Sequence, residues 1–433
     1  MKKVLSQFDA SFIERSSLMM GNILNAGLGF LTFGLLARGL SKDSFGEWVL
    51  YLSVFGFVEM IRAGFIYQAL VKFVASCKEI AEQKRYILGA WQISFWLTII
   101  ILSILFIVKF ILSKIFFIRF SELLFIQYPV AICLMLPINM ATMIFHSRQQ
   151  FIRLWLINFL QAFPFLMIIF FSKTIDLQLV VNAHLLVRVF ILVYILLFER
   201  SIFSKLKSII SLPQRADSGF AELLNFSRFT VFSTVGTSLL KNVDIWLINH
   251  FGGASMVALY QIPLKLVEVF EIPLRSWAMS AYPRFSSLVA QGKYQELKKN
   301  FTKELLIFTF GMLPIIGILF QFSEEVIAMF AGNGYTEATI LLKFFLIYVL
   351  LLPTDRYLGI ALDSLNLPQI NTFKVFMMLF VNIIGDYLVL SNQFGLVAVI
   401  GVTLVNIMIG ILIGVYFMKQ QFNEKHAIKL SSI

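Results

Sequence analysis

Charge is scarce in this chain. Of its 433 residues only 14% are Asp, Glu, Lys or Arg, while 59% are hydrophobic. Soluble domains carry about 25% charged residues, and no folded core is large enough to hide so apolar a composition from water. A soluble protein is excluded, and the chain reads as an integral membrane protein. Cysteine is nearly missing: Cys77 and Cys133 stand far apart, which leaves no disulfide framework and no thiolate metal site. The histidines His146, His184, His250 and His426 show no zinc-ligand spacing. The glycine-rich stretch AGNGY, with Gly332 and Gly334, lacks the Lys-Ser/Thr end of a phosphate-binding loop, so the chain offers no ATPase. Connections between apolar runs stay below about 25 residues, too short for a soluble catalytic domain.

Long apolar runs are what the chain has in abundance. They reach the roughly 20 residues of a membrane-spanning helix, without the ten-residue alternation of barrel strands. About twelve such runs are expected by this length criterion. Their cores begin near Ser17, Val49, Tyr86, Leu123, Leu154 and Leu179, then near Leu223, Val257, Leu305, Ala338, Phe373 and Leu396. The polar start MKKVLSQFDASFIER precedes a full span without a cleavage site, so a retained first helix is expected.

Lys and Arg gather in alternate connections, as cytoplasmic loops do. KFVASCKEIAEQKRY, HSRQQFIR, ERSIFSKLKSIISLPQRADSG and PRFSSLVAQGKYQELKKNFTKE are the basic ones, with a weaker one ending at Lys374. Both termini fall on that side. The loop KFILSKIFFIRF, with Lys109, Lys114 and Arg119, is basic on the expected outer side and disagrees. The net charge of +12 therefore marks topology and contact with anionic membrane lipids, and needs no nucleic acid. The longest inner connection, around Leu212 to Gly219, separates six spans from six, giving lobes 1–210 and 211–433. An offset of 212 residues sets Glu59 on Glu271, Ala69 on Ala281, Lys72 on Arg284 and Phe73 on Phe285, matches barely above chance; the shared order of a short outer turn, a charged span and a basic inner loop is the stronger sign of two related halves.

Several spans carry charge. In KLVEVFEIPLRSW, Glu268, Glu271 and Arg275 fall within about 60° of one another at 100° per residue, and Lys265 lies near that sector. Four central charges cost roughly 10 to 14 kcal/mol in lipid, so this face must meet a partner helix or a hydrated cavity. Pro263, Pro273 and Pro283 recur along the same segment and permit bends. The preceding span has a polar stripe, Ser227, Thr230, Thr234, Ser238, Lys241 and Asn242, with Asp244 one turn from Lys241. Glu59 and Arg62 occupy the second span, His184 and Arg188 the sixth, Asp355 and Arg356 the tenth, and Asp386 the eleventh. Glu59 with Arg62, Lys241 with Asp244, and Glu271 with Arg275 can neutralise one another in place. Charges spread over so many spans favour instead one shared hydrated cavity.

The segment LLARGLSKDSFGEWVLYLSVFGFVEMIRAGFIYQALVKFVA resembles the second-span region of polysaccharide repeat-unit flippases. These form the Wzx-like, O-antigen transporter branch of the multidrug/oligosaccharidyl-lipid/polysaccharide exporter superfamily. The matching features are Ala37-Arg38, Phe45-Gly46, Gly64 and Lys72-Phe73. The stretch GGASMVALYQIPLKLVEVFEIPLRSWAMSAYPRFSSLVAQGKYQELKK is similar to the corresponding region of the second half, closing on Tyr282-Pro283-Arg284-Phe285. Arg62 departs from the pattern, since many relatives carry Asp two residues before the glycine matched by Gly64. Glu59 is the nearest carboxylate.

The resemblance implies an all-α integral membrane protein, with two six-helix lobes around a central cation-lined cavity that opens alternately to either side. It implies a bacterial inner membrane location and an undecaprenyl-pyrophosphate-linked oligosaccharide as cargo for lipopolysaccharide O-antigen synthesis. A polysaccharide polymerase and assembly proteins are the implied partners. The headgroup would be held by Arg38, Arg62, Lys241, Lys265 and Arg275, while Glu59, Asp244, Glu268 and Glu271 would balance charge or exchange an ion. No catalytic residue, metal or cofactor is implied; transport would draw on a proton or sodium gradient, membrane potential or removal of product. Two alternatives remain open: a cation-coupled multidrug exporter of the same superfamily, and a membrane polysaccharide polymerase.

Overall fold

The computed structural model describes residues 21, 23–77, 79–115, 122–199 and 219–431. The polar start with Ser17, Arg119 of the outer basic loop and the mid-chain connection through Pro213 lie outside the described residues. Among those described, the secondary structure is helical throughout, with no strand.

The first six long helices are α1 (Ile23–Gly39), α2 (Lys42–Ser76), α3 (Ile80–Ile115), α4 (Glu122–Ser147), α5 (Phe151–Phe171) and α6 (Leu177–Phe198). The second six are α7 (Phe220–Gly252), α8 (Ala254–Ala290), α9 (Tyr294–Gln321), α11 (Ala338–Ser364), α12 (Pro368–Ser391) and α13 (Leu396–Ser431), with a short α10 (Ser323–Ala331) before α11. Every expected span core in the described residues falls within one of these twelve helices. Nine of them are long and apolar enough to cross a membrane. Of the remaining three, α1 is shorter, and α7 and α8 are the two that the sequence marks as polar and charged.

Helix ends follow local chemistry. Ser41 caps α2, its Oγ accepting from Ser44 N at 3.2 Å, and Asp176 caps α6 by accepting from Leu179 N at 2.7 Å. Gly253, at φ 80°, makes the turn from α7 into α8, a conformation that side chains resist. From there α8 runs 37 residues without interruption through Pro263, Pro273 and Pro283, about 55 Å at the helical rise and well beyond the hydrocarbon core.

The chain divides into two compact units, Met1–Ser238 and Leu239–Ile433, with the division inside α7. In the first unit α2 packs on α3 and α4, and α4 on α6, around a core that includes Ile66, Leu70, Tyr86, Trp91, Phe145 and Ile191. The first part of the α7 stripe serves this packing. Ser227 Oγ lies 2.6 Å from Phe65 O and 2.7 Å from Leu223 O, and a Cβ on Gly64 would stand 3.2 Å from Thr234. In the second unit α11 is central, packed by α8, α9 and α13, while α12 lies along α13.

Candidate functional site

In the first unit the charges form a buried knot. Arg62 is only 1% exposed; its Nη2 donates to Glu59 Oε1 and lies 3.3 Å from Ile132 O. Asn139 of α4 donates to the other oxygen, Glu59 Oε2. The helical spacing of three brings Glu59 and Arg62 together, and burial compels the pairing, since an unmatched buried charge costs several kcal/mol. Even so, Arg62 Nε and Nη1 find no acceptor among the described residues. Arg188 of α6 belongs to the same charged neighbourhood. Its Nη1 donates to His184 O at 3.0 Å, and its guanidinium lies 4.8 Å from the Phe55 ring centroid. His184 Nδ1 stands 3.2 Å from the Tyr51 hydroxyl, and Tyr128 donates to Tyr51 O at 3.0 Å.

In the second unit the charges of α8 split into two groups. Lys265 Nζ donates to Glu268 Oε2 at 2.7 Å. One turn further, Glu271 Oε2 receives Arg275 Nη2 at 3.4 Å and Arg356 Nη2 of α11 at 3.2 Å. Behind them, Lys374 of α12 donates to Asp355 Oδ1 at 2.8 Å. Lys374 is 5% exposed and lies within α12, so it is a buried ion-pair partner and not the end of a basic inner loop.

A third group centres on Asp244. Tyr260 donates to its Oδ2 at 2.6 Å, and the Asp386 carboxylate lies within hydrogen-bonding reach of it. Asn382, one turn before Asp386 on α12, stands 3.4 Å from Asp386 Oδ2. Oδ1 of each acid has no protein donor among the described residues. Lys241, on the exposed side of α7, makes no ion pair with Asp244 among the described residues; burial turns the acid toward Tyr260 instead.

Of the nine residues expected at the site, the structure joins Glu59 with Arg62, Lys265 with Glu268, and Glu271 with Arg275. It holds Asp244 in its own carboxylate group and leaves Lys241 and Arg38 on exposed faces at α7 and at the end of α1. Arg188, Arg356 and Asp386 stood out in the sequence as charges within spans, yet nothing there assigned them a role. Asn139 and Tyr260 gave no signal, because a single polar side chain in an apolar run is uninformative until its partner is known.

Residues 14–289 match the sequence model of the polysaccharide biosynthesis protein family, and residues 230–388 match that of the MatE family. Among curated relatives, the probable low-salt glycan biosynthesis flippase Agl15 of Haloferax volcanii is 23% identical over 397 residues, covering 89% of this chain and 79% of its own. A putative O-antigen transporter of Shigella flexneri is 25% identical over 116 residues, 27% of either chain. Among solved structures, an inward-facing multidrug resistance MATE family transporter of the MOP superfamily superposes with a TM-score of 0.75 at 14% identity, over 94% of this chain and 96% of its own. The lipid II flippase MurJ in an inward closed conformation gives 0.66 at 14% identity, over 93% and 87%. The likeness extends through both halves, so the two-lobe, twelve-helix fold is theirs. With the family model matched over more than half its length, the chain belongs to the polysaccharide biosynthesis protein family.

Proposed function

We propose that this protein is a flippase. By alternating access it moves an oligosaccharide linked through pyrophosphate to undecaprenol from the cytoplasmic to the outer leaflet of a bacterial inner membrane. It is a transporter and not an enzyme. The observation that carries this reading is the placement of Lys241, Lys265 and Arg275 on incompletely covered faces of α7 and α8, the two long helices that fall short of a lipid-compatible composition. Such cations are tolerated at membrane depth where water and an anion meet them, and a diphosphate is an anion that guanidinium and ammonium groups suit. The relatives' names, glycan biosynthesis flippase and O-antigen transporter, agree with a glycan cargo.

Arg62 and Glu59 act in this scheme as a sealed pair that orders α2 against α4, and Arg38 as a cation at the end of α1. Coupling falls to Asp244 with Asp386. Two carboxylates at such a separation repel unless they take up a proton or a cation, and the unmatched Oδ1 atoms supply the ligands. Glu268 and Glu271 balance the cations beside them. Lobes 1–210 and 211–433, cytoplasmic termini and a partnership with polymerase and assembly proteins complete the reading.

A multidrug exporter is the second reading, favoured by the MATE superposition. Cationic drugs call for carboxylates and aromatic faces, whereas the carboxylates of α8 are ion-paired, Glu268 to Lys265 and Glu271 to Arg275 and Arg356. The deciding experiment is a deletion strain assayed for the leaflet of its lipid-linked repeat units. Retention on the cytoplasmic side is expected; normal surface polysaccharide, without a redundant transporter, would reject the assignment.

A further inference from the structure

We infer that Arg356 and Arg275 form a two-guanidinium fork that selects a lipid diphosphate over the same lipid carrying one phosphate; this rests on the flippase reading. The two arginines come from different helices, α11 and α8, and 81 residues of sequence separate them. Their Nη2 atoms nonetheless converge on one oxygen, Glu271 Oε2, at 3.2 and 3.4 Å. The guanidinium groups are thus neighbours, held by a carboxylate that is 22% exposed while they are 39% and 55% exposed.

That geometry leaves charge and donors to spare. Glu271 cancels one of the two positive charges and occupies one nitrogen of each group, so further N–H donors of both arginines stay open on the uncovered side. The flanking pairs do not absorb the excess. Lys265 is matched to Glu268 at 2.7 Å and Lys374 to Asp355 at 2.8 Å, each neutral within itself. The cluster therefore retains one positive charge at the junction of α8 and α11.

A guanidinium plane binds one phosphate through two parallel hydrogen bonds. Two adjacent planes suit two adjacent phosphates, so a diphosphate engages both and a monophosphate only one. Glu271 holds the planes beside one another when no ligand is bound and competes with the phosphates for their donors. Such selection has a use: a loaded lipid carries two phosphates, and the bare carrier with one phosphate must not compete for the same seat.

The test measures binding of undecaprenyl diphosphate and undecaprenyl monophosphate to the full-length protein in nanodiscs. The unaltered protein should favour the diphosphate by about tenfold or more, the scale of one extra charge-assisted contact. Arg356→Gln, which leaves Arg275 neutralised by Glu271, should weaken binding of both lipids and bring the ratio close to one, and Arg356→Lys, which keeps charge without the planar fork, should fall between. Glu271→Gln should tighten diphosphate binding, because it removes the competing carboxylate, whereas a purely structural role predicts weakening. An unchanged ratio in Arg356→Gln overturns the fork. If that variant fails to fold, weaker diphosphate binding in Glu271→Gln overturns it equally. The flippase reading is judged separately, by whether the unaltered gene restores export in the deletion strain. Restored export with an unaffected ratio in Arg356→Gln rejects the fork alone.

Discussion

Asp244 of α7 and Asp386 of α12 hold their carboxylates within hydrogen-bonding reach of one another, with Asp386 wholly buried and Asp244 9% exposed. No Lys or Arg is bonded to either among the described residues, and Tyr260 and Asn382 are the donors nearby. An arrangement built for stability alone would not keep two acids together out of water.

Asp386→Asn should therefore separate stability from transport. An amide beside Asp244 removes the repulsion and supplies a donor, so the variant should reach the membrane at normal levels and melt at or above the temperature of the unaltered protein. Export of lipid-linked oligosaccharide should be lost, and in proteoliposomes flipping should no longer follow an imposed proton or sodium gradient. Paired measurements of detergent-solubilised melting and of gradient-driven flipping check both halves of the expectation.

Gly385, the residue before Asp386, packs α12 closely on α13. A Cβ there would stand 2.6 Å from Val402 Cγ1, and a β-branched side chain has little freedom to retreat. Gly385→Ala should cost about 1 to 3 kcal/mol through overpacking. Adding Val402→Ala should return most of the loss, read as the melting temperatures of the two single variants and the double variant.

The helices were legible in the sequence because the bilayer fixes their length and composition, and the charges of α8 were legible because lipid makes each of them expensive. The partners were not. Glu271 and Arg275 are one turn apart and could be paired by spacing, whereas Glu271 and Arg356 meet only because α8 packs on α11. Asp244 and Asp386, 142 positions apart in sequence, meet only in the folded unit. Spacing also misdirected in one case: Lys241 and Asp244 sit at pairing distance along α7, but the helix points the lysine outward and the acid inward. Lys374 misled through hydropathy, since a buried lysine matched to Asp355 has the same local pattern as a loop charge.

Glu59 and Arg62 offer a test of what burial does to an ion pair. Either single change breaks the pair: Glu59→Gln leaves Arg62 buried without its carboxylate, and Arg62→Gln leaves Glu59 bonded only by Asn139, with Arg188 the remaining cation nearby. Each should destabilise by about 3 to 5 kcal/mol. The double variant, which removes both members of the pair and leaves Arg188 without its neighbouring carboxylate, should lose less than either single one, a coupling that thermal unfolding of the four proteins in detergent measures directly.

Lys241 and Arg275 carry their charge on uncovered faces, so their loss should cost function and leave the fold alone. Lys241→Ala and Arg275→Ala should insert and accumulate normally, since surface changes away from buried networks cost little, and both should fail to export the glycan. Export at normal levels by both variants would reduce these side chains to structural ornaments of α7 and α8.

Charge also separates the flippase from an exporter of cationic drugs. A lipophilic cation entering beside Lys241, Lys265 or Arg275 meets like charge, which at a distance of about 4 Å costs roughly 1 kcal/mol in water and about 4 at the higher field near protein. The carboxylates that could offset this are engaged: Glu268 by Lys265, and Glu271 by two arginines. Overexpression should therefore give no added resistance to cationic dyes such as ethidium, and dye efflux from loaded cells should match that of cells without the protein. Faster efflux that depends on Glu268 or Glu271 would mean that these acids face the substrate and that the arginines release them, an order of binding opposite to the one argued from the Glu271 geometry.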